Sequence, residues 1–248
     1  MIALESASAR IGATPVLRDV SLTAAPGELV ALCGPNGAGK TSVLRAALGL
    51  LPLEAGEARL GGDPVGRLPE RVRAERAGWL PQARRIAWNL PAVEVAALGA
   101  PHDPAPVARA KAMAALEAVG AAHLADRGVA EMSGGERARV LFARFLATGA
   151  PALLADEPAA GLDPDAQLLV MELLRARAAA GAAVLVSLHD LSLAARQADR
   201  VVVLKGGAVV AAGRPAEALA PPVLADAFGL EGRWLEGPDG PLLSARRR

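Results

Sequence analysis

The sequence predicts an α/β fold: a parallel β-sheet with helices, a small N-terminal antiparallel β-subdomain and an α-helical insertion. Uniformly apolar runs at 29–33, 152–155 and 183–186 are typical of parallel strands buried on both faces, and a helical stretch separates the last two. Short alternating pieces broken by glycine and proline within 1–27 favour antiparallel strands. Within 83–150 the composition becomes helical, which predicts the insertion.

These elements divide the 248 residues into parts of one domain. A strand is expected to end at Gln82, and Pro81 places it at a sheet edge or terminus. The run 201–210 is expected to form a hairpin. The tail is expected to mix a short helix with glycine- and proline-rich loops. The expected bounds are about 1–27 and 56–78 for the β-subdomain, 28–50 and 151–210 for the core, 83–150 for the insertion, and 211–248 for the tail.

One stretch matches the phosphate-binding pattern G-x-x-x-x-G-K-[ST] in full, with an apolar strand before it and a helix after it. Glycines let backbone N–H groups surround a phosphate, and the helix N terminus adds positive charge there. Lys40 is expected to reach the outer phosphates, and Thr41 to bind Mg²⁺. The core is therefore predicted to be a P-loop NTPase (RecA-like) core that binds a nucleoside triphosphate and Mg²⁺. The predicted phosphate-binding residues are Gly34, Pro35, Asn36, Gly37, Ala38, Gly39, Lys40, Thr41 and Ser42.

Two acids follow the apolar strand at 152–155. Downstream of a P-loop in a parallel sheet, Asp156 can bind Mg²⁺ through water, and Glu157 can orient or deprotonate the attacking water. The pair predicts hydrolysis of a nucleoside triphosphate.

Composition excludes several classes of protein. The net charge of +1 gives no reason to expect nucleic acid as a partner. A single cysteine, Cys33, excludes an internal disulfide framework and indicates an intracellular protein. Despite a mean hydropathy of +0.30, the uncharged runs are shorter than the roughly 20 residues that span a bilayer. No basic-then-apolar signal region marks the chain for secretion, and any membrane role is expected to come through a partner.

A second glycine-containing turn, Ser133-Gly134-Gly135-Glu136, precedes a predicted helix. Ser133 and Glu136 form a capping-box pattern, which would serve any helix N terminus. The glycines also leave N–H groups accessible at a positive helix end, as a second phosphate-binding surface requires. Together with Met132, the turn resembles the L-S-G-G-Q/E signature of the ATP-binding cassette (ABC) family.

The resemblance covers essentially the whole chain and implies roles for further residues. His189 matches the switch histidine, which contacts the γ-phosphate. Gln82 matches the Q-loop glutamine, which touches Mg²⁺ and water and senses the membrane partner. Asp163 matches the D-loop. Ile11 stands where the family usually has an aromatic ring that stacks on adenine, so the choice of ATP over GTP stays open.

The family's mechanism assembles one nucleotide site from two chains. By resemblance, two copies face head to tail, so that ATP on one P-loop is closed by Ser133 and Gly135 of the other. Hydrolysis would then reopen the pair, and the insertion would pass that motion to membrane subunits. The implied catalytic residues are Glu157, His189 and Gln82. The implied metal-binding residues are Thr41, Gln82 and Asp156.

Within the family, the chain looks most like ATPase subunits of importers for iron-siderophore complexes, haem and cobalamin. The segments that carry this likeness are 80–82, 186–191 and 220–230. The resemblance implies a membrane permease as partner, a substrate-binding protein acting through it, and a peripheral position on the cytoplasmic face of the membrane. Trp88 lies where the family docks on the permease, although a packed core tryptophan is the alternative.

Three other functions are weighed against import. A small-molecule kinase shares the P-loop but has no use for the turn at 133–136. A non-transport ABC ATPase would show a second cassette or a long coiled-coil insertion, and neither is present in this sequence. An ABC exporter subunit stays open at this point, because an exporter differs in the membrane protein with which the cassette is fused or paired.

Overall fold

The computed structural model describes residues 1–82, 86, 89–237 and 240–247. Trp88 and Arg248 lie outside the described residues. The strands are β1 (Ile2–Ile11), β2 (Thr14–Ala24), β3 (Leu29–Cys33), β4 (Ala55–Leu60), β5 (Asp63–Pro64), β6 (Ala77–Leu80), β7 (Ala152–Asp156), β8 (Ala183–Ser187), β9 (Arg200–Lys205), β10 (Ala208–Gly213), β11 (Leu230–Gly237) and β12 (Gly240–Arg247). The helices are α1 (Lys40–Ala47), α2 (Glu70–Arg76), α3 (Ala92–Ala97), α4 (Ala105–Ala118), α5 (Gly134–Ala147), α6 (Pro164–Ala179), α7 (Leu191–Gln197), α8 (Pro215–Ala218) and α9 (Pro221–Val223).

The central sheet has the strand order β10-β9-β3-β8-β7-β6. From β9 to β6 the strands are parallel, and β10 pairs antiparallel with β9 as the predicted hairpin. Every residue of β3, β7 and β8 is buried, because alternate side chains enter two apolar clusters. Leu29 and Ala31 face the helices from α3 to α7, whereas Val30 and Leu32 face α1 and the N-terminal sheet. The predicted α/β fold with a parallel sheet is confirmed.

The N-terminal sheet is antiparallel and has the order β2-β1-β4-β5. Its buried face, which includes Ile2, Leu4 and Leu60, packs in the same cluster as Val43 and Leu44 of α1. The sheet therefore covers the helix that follows the P-loop.

Helices α3, α4 and α5 pack on one another in the region of the predicted insertion. Helix α5 begins with the predicted capping box: Ser133 Oγ accepts from the backbone N–H of Glu136 at 3.2 Å, and Glu136 Oε2 accepts from the backbone N–H of Ser133 at 2.9 Å. This reciprocal cap fixes the start of the helix.

Two segments differ from expectation. Strand β6, part of which was assigned to the antiparallel β-subdomain ending near 78, instead joins the central sheet, where Ala77 to Leu80 pair in parallel with Ala152 to Ala155. It is the edge strand, as Pro81 predicts. Four residues are too few for periodicity to distinguish the two sheets.

The C-terminal tail contains a β-hairpin, β11 and β12, rather than loops alone. Its inner face carries Leu243, which is buried in the main apolar cluster, and Trp234, whose indole N–H donates to the backbone oxygen of Leu219 at 3.3 Å. Arg246, near the C terminus, is exposed and pairs with Glu231 at 2.9 Å. Among the described helices, none is long and apolar enough to span a bilayer.

Candidate functional site

The phosphate-binding loop connects the buried strand β3 to helix α1. Gly39, immediately before the helix, has a φ of 105°, in the left-handed region. A Cβ on Gly39 would lie 2.8 Å from the backbone oxygen of Val16, and a Cβ on Gly34 would lie 2.3 Å from that of Leu204. The loop therefore requires glycine at both positions for conformation and for space.

The Lys40 side chain is buried and folds back over this loop. Its Nζ donates to the backbone oxygen of Gly34 at 2.8 Å and to that of Pro35 at 3.3 Å. Burial lowers the pKa of the Lys40 ammonium, and the carboxylates of Glu157 and Asp156 act in the opposite direction. Neutral carbonyls are weaker partners for an ammonium than an anion, so this position suits a phosphate.

The carboxylate of Asp156 is the most buried acid of the site, at 1% exposure. Its Oδ2 accepts from the Thr41 hydroxyl at 2.7 Å, and its Oδ1 accepts from the Ser187 hydroxyl at 2.6 Å. Hydrogen bonds of this kind are what a buried charge requires. They connect the first turn of α1 to the ends of β7 and β8. Ser187 was assigned no role from sequence, and its only signal is a hydroxyl that ends an apolar strand.

Glu157 brings the three predicted catalytic residues together. Its Oε2 accepts from Gln82 Nε2 at 2.8 Å, and its Oε1 contacts His189 Nε2. Its backbone N–H donates to Ser187 Oγ at 2.9 Å. Glu157 has a φ of 51°. A left-handed conformation in a residue other than glycine costs on the order of 1–3 kcal/mol and is found mainly at functional sites.

These residues surround an open cleft of about 450 Å³. Val16 of β2, to which sequence analysis assigned no role, also lines it. Ile11 lies at the β1–β2 turn with 52% exposure and is not among the described residues that line the cleft. The residues that line the cleft are Val16, Asn36, Gly37, Ala38, Gly39, Lys40, Thr41, Ser42, Gln82, Glu157 and His189.

The predicted metal-binding residues suit Mg²⁺. Thr41, Asp156 and Gln82 offer hydroxyl, carboxylate and amide oxygens, which are the hard donors that Mg²⁺ prefers. Within the described ranges no group of three or more His, Cys, Asp or Glu could bind a metal by itself. A Mg²⁺ ion at this cleft would therefore complete its coordination with phosphate oxygens and water, as Mg²⁺ commonly does.

The signature segment lies outside this cleft. Ser133, Gly134 and Gly135 are exposed, and none of the three is among the described residues that line it. A Cβ built on Gly134 or Gly135 would have nothing within 4 Å, and neither glycine has a positive φ. One chain therefore leaves this helix N terminus open to solvent.

Two long polar side chains support the segment before the signature. Arg137 donates to the backbone oxygens of Val129 and Met132, both at 3.2 Å. Asn89 Oδ1 accepts from the backbone N–H of Ala130 at 2.9 Å. The turn that carries Ser133 is thus tied to α5 and to the chain that follows Gln82.

Asp163, the predicted D-loop residue, is the N-cap of α6. Its Oδ1 accepts from the backbone N–H of Ala166 at 2.9 Å. The side chain is exposed. Helix capping accounts for an aspartate here, and a role toward a second chain stays a prediction.

A second groove, of about 340 Å³, lies between the central sheet and the helical insertion. Trp79, Leu80 and Pro81 of the β6 edge line one side, and Leu141 and Phe145 of α5 line the other. Residues Ala74, Ala77, Gly78, Leu98, Gly99, Pro101, Arg144 and Thr148 complete it. The groove therefore contacts the strand that leads to Gln82 and the helix that begins at Ser133.

Comparison with known proteins agrees with this geometry. The ABC transporter family model matches residues 17–160. The hemin import ATP-binding protein HmuV of Myxococcus xanthus is 44% identical over 236 residues, covering 91% of this chain and 88% of the relative. HmuV of Pseudomonas fluorescens is 42% identical and covers 99% of this chain and 100% of the relative.

Solved structures are similar in fold. An ATP-binding cassette described as dimeric, in a post-hydrolysis state bound to ADP and Pi, superposes with a TM-score of 0.79 at 26% identity, covering 87% of this chain and 99% of that chain. A putative metal-chelate type ABC transporter in an inward-facing conformation superposes with a TM-score of 0.83 at 21% identity, over 99% of this chain and 96% of that chain. The chain belongs to the ABC transporter family and is an ATP-binding, ATP-hydrolysing cassette of that family.

Proposed function

We propose that this cassette energises hemin uptake through a membrane permease. The observation that carries the proposal is similarity to hemin import ATP-binding proteins, one of which aligns over 99% of this chain and its own full length. Iron-siderophore complexes and cobalamin are the alternative cargoes that the sequence resemblance implies. An exporter also appears among the similar structures, but at 24% identity it supports the fold alone.

The proposed chemistry uses the residues of the cleft together with the buried Asp156, which bonds Thr41. Lys40 and the N–H groups of the P-loop bind the triphosphate, and Thr41, Asp156 and Gln82 would hold Mg²⁺, which would neutralise phosphate charge. Glu157 accepts the proton of the attacking water. His189 contacts Glu157 and orients the Glu157 carboxylate. When nucleotide is bound, His189 also reaches the γ-phosphate.

The signature turn is proposed to complete the site of a second copy. In a single chain, the cleft is lined by residues of the P-loop and by Gln82, Glu157 and His189. The exposed N terminus of α5, at Ser133 to Gly135, is not among the described residues that line that cleft. In a head-to-tail pair, Ser133 and Gly135 of one copy would close the cleft of the other and exclude water. Asp163 would lie at the same interface.

Adenine recognition is proposed to use apolar contact. Val16 lines the cleft beside the P-loop, and Ile11 lies exposed at the tip of the same β1–β2 hairpin. Neither side chain can stack as an aromatic ring does, so we infer that the triphosphate provides most of the binding energy.

The permease is proposed to dock in the groove beside β6. A partner segment there would contact Leu98 and Trp79, and β6 would connect it to Gln82 and hence to Glu157. Docking would hold the cassette at the cytoplasmic face of the membrane. A substrate-binding protein would act on the other side of the permease.

The cargo is tested with the cassette and its permease purified together and placed in liposomes. We expect ATP hydrolysis to rise when a hemin-loaded binding protein is added, because loaded binding protein signals through the permease. The same binding protein without hemin is the control. Stimulation by cobalamin- or siderophore-loaded protein instead would contradict the hemin assignment and leave the ATPase assignment intact.

Glu157→Gln is expected to reduce turnover by roughly 10²- to 10⁴-fold, because it removes the proposed base while keeping the side chain's size. ATP binding should persist, since Lys40 and the P-loop are unchanged. Phosphate release and nucleotide titration measure the two quantities. Hydrolysis near the wild-type rate would show that the base is another residue.

A mixing experiment tests whether the site is shared between chains. Lys40→Ala removes the P-loop ammonium, and Gly135→Asp places a carboxylate where the partner's phosphates would lie. An acid at the start of α5 is favourable for the helix, so the second variant should remain stable. We expect each variant alone to be inactive.

Mixed together, the two variants should recover activity, because a heterodimer contains one intact site. Random pairing limits the recovery to about a quarter of wild-type sites. A mixture as inactive as its components would contradict the shared site. Thermal melts of both variants exclude unfolding as the cause.

Leu98→Glu is expected to weaken permease binding, since it places a charge in the proposed docking groove. Leu98 is 44% exposed. Val107→Glu is the matched control, because Val107 is also 44% exposed but lies on α4, outside the groove lining. Co-purification with tagged permease measures the effect. Docking in this groove would be contradicted if both variants lost permease binding equally, or if neither variant lost it.

A further inference from the structure

Ser187 contacts the two consecutive acids Asp156 and Glu157 and is itself fully buried, at 0% exposure. Its hydroxyl donates to Asp156 Oδ1 at 2.6 Å and accepts from the backbone N–H of Glu157 at 2.9 Å. The Ser187 hydroxyl thus donates one hydrogen bond and accepts another, and its two partners are consecutive residues. Among the described residues, the buried polar or charged ones are Lys40, Asp156 and Ser187.

The contact occurs where the sheet ends. The parallel ladder between β7 and β8 finishes at the pair Asp156 and Ser187. The next amide along the chain, that of Glu157, donates to the Ser187 side chain. At this residue the backbone turns to a φ of 51°, which residues with a side chain seldom adopt.

We infer that Ser187 is a positioning residue for hydrolysis: it fixes the peptide between Asp156 and Glu157, and thereby the direction of the Glu157 carboxylate. The inference rests on the proposed role of Glu157 as base. Ser187 does not line the cleft and cannot touch the nucleotide. Its effect must pass through the two acids.

The contacts that Gln82 and His189 make with Glu157 differ in kind from this one. Gln82 is exposed, and the His189 side chain is 46% exposed, so both engage Glu157 from the solvent side of the cleft. Ser187 alone among these partners holds the Glu157 backbone from within the sheet. Loss of its hydroxyl would leave the buried Asp156 Oδ1 and the Glu157 N–H without that partner.

The test replaces Ser187 by Ala in the full chain, assayed in complex with its permease. We expect kcat to fall roughly 10- to 100-fold, as displacement of a catalytic group by about 1 Å can produce. The effect should be larger on kcat than on KM for ATP, because Lys40 and the P-loop N–H groups are unchanged, whereas Ser187 contacts Asp156 and Glu157. Ser187→Cys, which keeps the volume but has a weaker donor and acceptor, should also lower kcat and serves if the alanine variant fails to fold.

Val184→Ala is the matched control, since Val184 is fully buried on the same strand but pairs with Leu153, three residues before Asp156. It should lower the melting temperature and leave kcat near wild type. An equal fall in kcat for Val184→Ala would mean that loosening of β8 explains the effect, and would overturn the inference. A wild-type kcat in both Ser187→Ala and Ser187→Cys would also overturn the inference.

A double variant separates this inference from the proposed function. If Ser187 acts mainly through Glu157, adding Ser187→Ala to Glu157→Gln should lower kcat by much less than Ser187→Ala lowers it in the wild-type chain. A full additional loss would overturn the inference. If Glu157→Gln itself retains turnover, the proposed base is wrong; if it is inactive while Ser187→Ala is not, only the role of Ser187 fails.

Discussion

The fully buried carboxylate of Asp156 is the interaction on which the cleft depends. An isolated charge at that depth would be very costly, so the fold must supply donors to it. Thr41 and Ser187 do so from two different elements, and each bond also sets a backbone. Helix α1, and with it the P-loop, is fixed to β7, and β8 is fixed to Glu157. The positions of the P-loop and of Glu157 therefore both depend on one buried group.

The helical insertion gives this rigid centre a second connection. Helix α5 extends from the signature turn at Ser133 to the groove residues Leu141 and Phe145, and β6 extends from the same groove to Gln82. A segment bound in the groove would touch both elements at once. Rigid elements with two arrangements are how such coupling is carried in proteins. The proposed coupling of hydrolysis to transport thus needs no long chain of intermediates.

Sequence predicted the features that a local pattern determines and missed those that depend on distant parts of the chain. Each of these local features occupies one short stretch of the sequence: the P-loop, the capping box and the acids at the end of β7. Part of strand β6 is predicted in the antiparallel sheet but lies in the central sheet. A run of four residues does not indicate which strand it will pair with. Val16 and Ser187 were given no role, because an apolar residue and a strand-end serine are ordinary until the fold places them beside Lys40 and Asp156.

The glycines of the signature turn show how a local motif can point beyond its own chain. Gly99 is required by the fold, since a Cβ there would lie 2.0 Å from the backbone oxygen of Arg144. Gly134 and Gly135 have open space around them and helical backbones, so neither packing nor conformation demands glycine. Glycine weakens a helix relative to alanine. The capping box explains Ser133 and Glu136 but not the residues between them. A ligand that approaches the bare backbone from another molecule would explain the two glycines, and in the proposed head-to-tail pair the phosphates of the second copy's nucleotide are that ligand.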